Sequence, residues 1–162
     1  MSAHVAVFGE KRLTGAARLR MRLFVMLLGA AAFAALDQWV KLVLVTPDWA
    51  YHQRSAAWFA GSCVLLLAMA GLALLPSPAV AVGAALFAGG LLGNLISASV
   101  DHLQVPNPLL LGFHYGIAFN VADVCILTGN LTLMVACSVL AIRNRARLEA
   151  WQAAAIARLI RR

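Results

Sequence analysis

The sequence predicts an all-α membrane protein with four transmembrane helices and both termini in the cytoplasm. The first observation is composition: of 162 residues, 63% are hydrophobic and only 12% are charged, whereas a soluble domain carries about a quarter charged residues. The second is a stretch from Ser55 to Val100 that contains no Asp, Glu, Lys or Arg. The third is the position of the basic residues, which flank the apolar segments at both ends of the chain. These features exclude a disordered chain and an ordinary soluble globule.

Four apolar segments are each close to the ~20 residues that a helix needs to cross a bilayer. As a helix, the uncharged stretch is long enough to cross a bilayer roughly twice. Pro76 and Pro78 mark the turn between the two crossings because proline breaks helices. A cleaved signal peptide over residues 11–36 is the alternative for the first segment, but the apolar run continues beyond the length of a signal-peptide core. The predicted membrane domain is residues 23–142, with spans at about 23–45, 57–75, 79–100 and 118–142.

The basic residues orient these spans. Eleven of the 13 Lys and Arg residues precede the first span or follow the fourth. Because positive residues favour the cytoplasmic side, we expect residues 1–22 to form a basic cytoplasmic segment and residues 143–162 a basic amphipathic cytoplasmic tail. Residues 46–56 and 101–117 then lie on the outer side. The sequence pI is about 10.4, which alone would suggest a nucleic-acid partner. Because the basic residues flank the apolar segments instead, we predict no nucleic-acid partner.

Polar side chains lie near the predicted outer ends of three spans. Asp37 and Lys41 are four residues apart on the first span and share a helix face. Asn120 and Asp123 share a face of the fourth span, and Asn94 lies at a similar depth on the third. Ionisable groups inside a membrane are costly and indicate function, although Asp37 and Lys41 also suit a purely structural ion pair. The common depth predicts one site near the outer face.

The residue types restrict the chemistry of such a site. The three cysteines lie within apolar runs, and His102 and His114 stand alone in a predicted loop, so no metal, cofactor or disulfide is predicted. Carboxylates near a membrane surface suit ion coupling, or a pair of carboxylates that activates water. Ion coupling favours polar groups through the full membrane depth, whereas here they cluster on one side. A hydrolytic pair needs a second carboxylate beside Asp123, from Asp37 or from residues 101–117.

Three motifs follow one another on spans one, three and four. They are Leu36-Asp37-Gln38-Trp39-Val40-Lys41, Gly93-Asn94-Leu95-Ile96 and Phe119-Asn120-Val121-Ala122-Asp123. Together they resemble lipoprotein signal peptidase (signal peptidase II), a family of four-helix membrane aspartic peptidases of bacteria. That family cuts the signal peptide from prolipoproteins just before a diacylglyceryl-modified cysteine. The resemblance implies a protein of the bacterial cytoplasmic (inner) membrane with an active site near the outer face. The implied partners are lipid-modified prolipoproteins and membrane lipids, with no cofactor.

The resemblance also implies roles for single residues. Asp123 matches the second catalytic aspartate of the family. The first belongs to the loop after span three, where the matching residue here is Asn107, an amide. Asp101 is the only carboxylate of residues 101–117 and is the candidate substitute. The residues expected to support the site or contact substrate are Asp37, Lys41, Asn94 and Asn120.

Two expectations therefore stay open at this point. The chain is a signal peptidase II-like aspartic endopeptidase with an incomplete catalytic pair, or it is an inactive relative that binds lipoprotein precursors or lipid.

A further departure from the family concerns the residues after Gly-Asn-Leu-Ile. The family has aspartate and arginine there, whereas this chain has Ser97 and Ala98.

Overall fold

The computed structural model of the protein describes residues 15–72, 74–112 and 116–160. The helices are α1 (Gly15–Val43), α2 (Ala56–Leu72), α3 (Pro78–Val100), α4 (Val121–Arg143) and α5 (Arg145–Ile160). The strands are β1 (Tyr51–Gln53), β2 (Gln104–Pro106), β3 (Leu109–Leu111) and β4 (Ile117–Phe119), and a single 3-10 turn covers Asp48–Ala50. Of the predicted N-terminal segment 1–22, residues 1–14 lie outside the described residues and residues 15–22 belong to α1.

Three of the described helices, α1, α3 and α4, are long and apolar enough to cross a membrane. The fourth apolar helix, α2, has 17 residues and is shorter than the predicted span because the chain turns after it. The N–H of Leu74 donates to Gly71 O and that of Leu75 donates to Leu72 O. The protein is thus a mostly helical, multi-pass membrane protein.

Helix α3 lies at the centre of the bundle and packs against α1, α2 and α4. Over an apolar stretch of 18 residues in each helix, 67% of the residues are buried in α3, compared with 17% in α1 and 22% in α4. Small residues make this possible: a Cβ on Gly93 would lie 2.7 Å from Asp37 Oδ2 of α1, and one on Gly90 would lie 2.7 Å from Ile126 Cγ1 of α4. The outward faces of α1 and α4 are consequently apolar and exposed, which suits contact with lipid.

The apolar core and the polar residues occupy opposite halves of the bundle. The core joins Met26 of α1, Val80 and Ala84 of α3, and Leu133 of α4, near the turn at residues 76–78. Helix α3 starts at this turn because Ser77 caps it, its hydroxyl accepting the N–H of Val80 at 3.4 Å, with proline in the first turn. The predicted polar residues lie at the other end of α1, α3 and α4.

Short strands cover that polar end, and the all-α prediction did not include them. Strand β1 pairs antiparallel with β2, with His52 opposite Val105. Strand β3 pairs antiparallel with β4, with Leu109 opposite Phe119. Because β4 precedes it, α4 begins at Val121 and not near residue 118 as predicted.

Helix α5 forms over the predicted amphipathic tail. The apolar face expected there rests on the side chains of Leu148, Trp151 and Leu159, which lie outside the described residues. The Arg145 guanidinium pairs with the Glu149 carboxylate, Nε to Oε1 2.7 Å, on its solvent-exposed surface.

Candidate functional site

The start of α4 carries the carboxylate at the centre of the polar end. Asn120 is the N-cap residue, and its Oδ1 accepts the backbone N–H of Asp123 at 2.8 Å. In return Asp123 Oδ2 accepts the backbone N–H of Asn120 at 3.3 Å. This reciprocal pair is a capping box, which satisfies N–H groups that the first helical turn leaves unpaired. The local sequence Asn-x-x-Asp therefore fixes both side chains.

Asn94 of α3 connects this capping box to α1. Its Nδ2 donates to Asp123 Oδ1 at 3.1 Å. Its Oδ1 accepts from Lys41 Nζ at 3.0 Å and from Asn120 Nδ2 at 3.1 Å. An ammonium group can only donate and an ionised carboxylate can only accept, so these neighbours determine which way the Asn94 amide points.

Asp37 and Lys41 form a buried ion pair beside Asn94. Asp37 Oδ2 lies 2.7 Å from Lys41 Nζ, and the two side chains are 0% and 4% exposed. Asp37 Oδ1 also accepts the backbone N–H of Ala122 at 2.8 Å, and Lys41 donates to Ser97 Oγ at 3.0 Å. Asp37 thus connects the start of α4 to α1. Both of its carboxylate oxygens have partners, so its role is to support the site.

Asn107 joins the same network from the loop that follows β2. Its backbone N–H donates to Ala50 O at 3.2 Å, and its side chain is fully buried. Asn107 Oδ1 accepts from Asn120 Nδ2 at 2.6 Å. The side chain that the sequence placed at the missing aspartate is therefore two hydrogen bonds from Asp123, with Asn120 between them.

Asp101, the candidate substitute, lies apart from this network. It is the C-cap residue of α3, and its backbone N–H donates to Ser97 O. It lines a polar pocket together with Asp48, Tyr51, Gln53 and Gln104. Within the described part of the chain, no hydrogen bond connects the Asp101 side chain to Asp123 or Asn107. His114, which the sequence analysis also considered, lies outside the described residues.

His52 belongs to the site but was not among the residues predicted from the sequence. His52 of β1 lies next to Asn107, with its Nδ1 2.9 Å from Asn107 Nδ2. No motif pointed to His52, because the contact depends on the pairing of β1 with β2 between segments far apart in the sequence. A histidine in the polar segment before α2 was the available signal, and it is a weak one.

The network limits the chemistry that this end of the bundle can support. Of its two carboxylates, Asp37 is held by Lys41 and by the N–H of Ala122, which leaves Asp123 as the acidic group near Asn107. Carboxylate pairs activate water when one member is ionised and the other protonated, and an amide at residue 107 cannot take either role. Among the described residues, no group of three His, Cys, Asp or Glu side chains could hold a metal ion.

The chain is similar to a known protein family. A protein-family model described as signal peptidase (SPase) II matches residues 48–139, more than half of the chain. The matched segment includes Asn94, Asn107, Asn120 and Asp123, and it begins after α1. No curated protein and no solved structure matches.

Proposed function

Because the chain belongs to the signal peptidase II family, we propose that it binds lipid-modified prolipoproteins at a site with Asp123 as its single catalytic carboxylate. The observation that carries this proposal is the hydrogen bond of 2.6 Å between Asn107 and Asn120, which joins residue 107 to the capping box of Asp123. We call Asn94, Asn107, Asn120 and Asp123 the asparagine–aspartate cluster.

Each member of the cluster has a role in this proposal. Hydrolysis of a peptide bond needs a base that deprotonates water and an acid that protonates the developing oxyanion or the leaving amine. Asp123 serves as the base. Asn107 lies at the position of the second group, but its amide is buried and bonded to Asn120 and His52, and it has no proton to exchange. Asn94 and Asn120 hold Asp123 in place, and the pair Asp37–Lys41 supports Asn94.

The cluster thus has half of the acid–base machinery of the family. Cleavage by the natural chain is accordingly weak or absent, whereas capture of the precursor needs only the shape and polarity of the site. The inactive relative that binds precursors is the second candidate function, and the amide at residue 107 is the observation that favours it. Asp101 does not enter this mechanism because it lies at the end of α3, away from the cluster.

The proposal includes an arrangement in the bacterial cytoplasmic (inner) membrane. It has four spans, including the short α2, with residues 1–22 and 143–162 in the cytoplasm. The basic residues at both ends support this orientation, and it brings the cluster to the outer face. The diacylglyceryl chains of the substrate then lie against the exposed apolar faces of the spans.

The test uses the full chain reconstituted in liposomes and a synthetic diacylated lipopeptide that spans a prolipoprotein cleavage site. We expect the natural chain to bind this lipopeptide and to cleave it slowly or not at all, and Asp123→Asn to remove any cleavage. A matched control without the diacylglyceryl group should bind more weakly. The proposal is wrong if the lipopeptide does not bind, or if cleavage is fast and survives Asp123→Asn. Fast cleavage that is lost in Asp101→Asn would show that residue 101, and not residue 107, faces Asp123.

A further inference from the structure

The contact between Asn107 and His52 adds a titratable group to the edge of the cluster. His52 Nδ1 lies 2.9 Å from Asn107 Nδ2. Asn107 is fully buried, whereas His52 is exposed on β1. The histidine therefore connects a buried amide of the site to the surrounding solvent.

The orientation of the Asn107 amide follows from the donors and acceptors around it. Asn120 Oδ1 accepts the backbone N–H of Asp123, so the Nδ2 of Asn120 must point the other way, towards Asn107. At 2.6 Å that Nδ2 needs an acceptor, which is Asn107 Oδ1. The Nδ2 of Asn107 consequently faces His52. A rotated Asn107 amide would bring two NH₂ groups together.

The same reasoning determines the protonation state of His52. Because Asn107 Nδ2 is a donor, His52 Nδ1 must be an acceptor, which requires the neutral ring with its proton on Nε2. We propose that His52 is a positioning residue of the cluster, which holds the Asn107 amide only as the neutral Nε2–H tautomer. A protonated ring would direct an N–H at the N–H of Asn107, and the hydrogen bond would be lost.

The consequence for function rests on the function proposed above. A side chain at residue 52 that cannot accept from Asn107 Nδ2 leaves this buried amide without that partner. We therefore expect loss of the acceptor to weaken capture of the lipopeptide.

The first test measures the tautomer directly and does not depend on the proposed function. In nitrogen-15 NMR spectra of the full chain in lipid nanodiscs, the neutral His52 ring should carry its proton on Nε2. In Asn107→Asp a carboxylate oxygen takes the place of the Nδ2 donor, so His52 should hold a proton on Nδ1. A proton on Nδ1 in the natural chain, or no change in Asn107→Asp, would overturn the proposal.

The second test compares lipopeptide binding by two variants at residue 52. His52→Ala removes the acceptor for Asn107 and should bind roughly fivefold more weakly than the natural chain, the factor that corresponds to one ordinary hydrogen bond. His52→Gln keeps an acceptor for Asn107 and should recover most of this loss. Equal binding by His52→Gln and His52→Ala would contradict the proposal. If neither the natural chain nor any variant binds lipopeptide, the proposed function fails, and the NMR result still decides the role of His52.

Discussion

The buried ion pair of Asp37 and Lys41 should stabilise the protein far more than the exposed pair of Arg145 and Glu149. The two pairs have the same spacing of four residues and the same distance of 2.7 Å between nitrogen and oxygen. They differ in burial: the side chains of the first are 0% and 4% exposed, and those of the second are 81% and 59% exposed. Asp37→Asn and Glu149→Gln therefore make the same chemical change in two environments.

The expected magnitudes follow from this difference in burial. Asp37→Asn keeps an oxygen for the N–H of Ala122 but leaves the Lys41 ammonium without its counter-ion, and breaking a buried pair in this way costs about 3–5 kcal/mol. Glu149→Gln removes a pair that water already screens, so it should cost about 0.5 kcal/mol or less. Lys41→Met in the Asp37→Asn background removes the unpaired charge and should recover part of the lost stability.

The assay is reversible unfolding in mixed detergent micelles, followed by helical circular dichroism and compared among the four proteins. Asp37→Asn should lose several times more free energy of unfolding than Glu149→Gln. Equal losses in the two single variants would show that burial of the pair does not set its contribution. If adding Lys41→Met makes Asp37→Asn less stable, the unpaired ammonium is not the source of the cost.

The remaining predictions concern helix packing and topology. Gly90→Ala should lower the free energy of unfolding by about 1–3 kcal/mol, because its Cβ would lie 2.7 Å from Ile126 Cγ1 and 3.0 Å from Ile126 N. Gly61→Ala, which has nothing within 4 Å of its new Cβ, should be neutral or stabilising in the same unfolding assay; equal losses would contradict the packing of α3 on α4. For topology, single cysteines at positions 12 and 147 should resist a membrane-impermeant maleimide added to intact cells, whereas one at position 51 should react. Labelling of position 12 or 147 would overturn the cytoplasmic placement of the termini.

The sequence was sufficient to predict the long helices, because their signal is local. The uncharged stretch, the two prolines after Leu75 and the flanking basic residues each act over a few neighbouring positions. The capping box of Asn120 and Asp123 is equally local, although the helix boundary it sets was predicted three residues too early. The short strand β4 caused that difference, since three apolar residues before a helix look like part of the helix.

The contacts around Asn107 could not be predicted in the same way. The position of residue 107 was inferred from the resemblance to a family, and the distance to Asn120 needed the structure. His52 had no periodic pattern or spacing to mark it, because β1 and β2 are three residues long and meet across a large separation in sequence. Similarly, the contact of Asp37 with the N–H of Ala122 depends on how α1 packs beside the start of α4, whereas the spacing of four residues already predicted its pairing with Lys41.

The role of residue 107 can be measured as the rate at which Asn107→Asp cleaves the diacylated lipopeptide. A second carboxylate at residue 107 would complete an acid–base pair with Asp123, and acid–base catalysis contributes about a hundredfold or more to a rate. We therefore predict that Asn107→Asp cleaves at least about a hundredfold faster than the natural chain, and that Asp123→Asn in the same chain abolishes the gain. A folded Asn107→Asp variant that binds the lipopeptide and cleaves it no faster than the natural chain would contradict the claim that Asn107 occupies the position of the missing carboxylate.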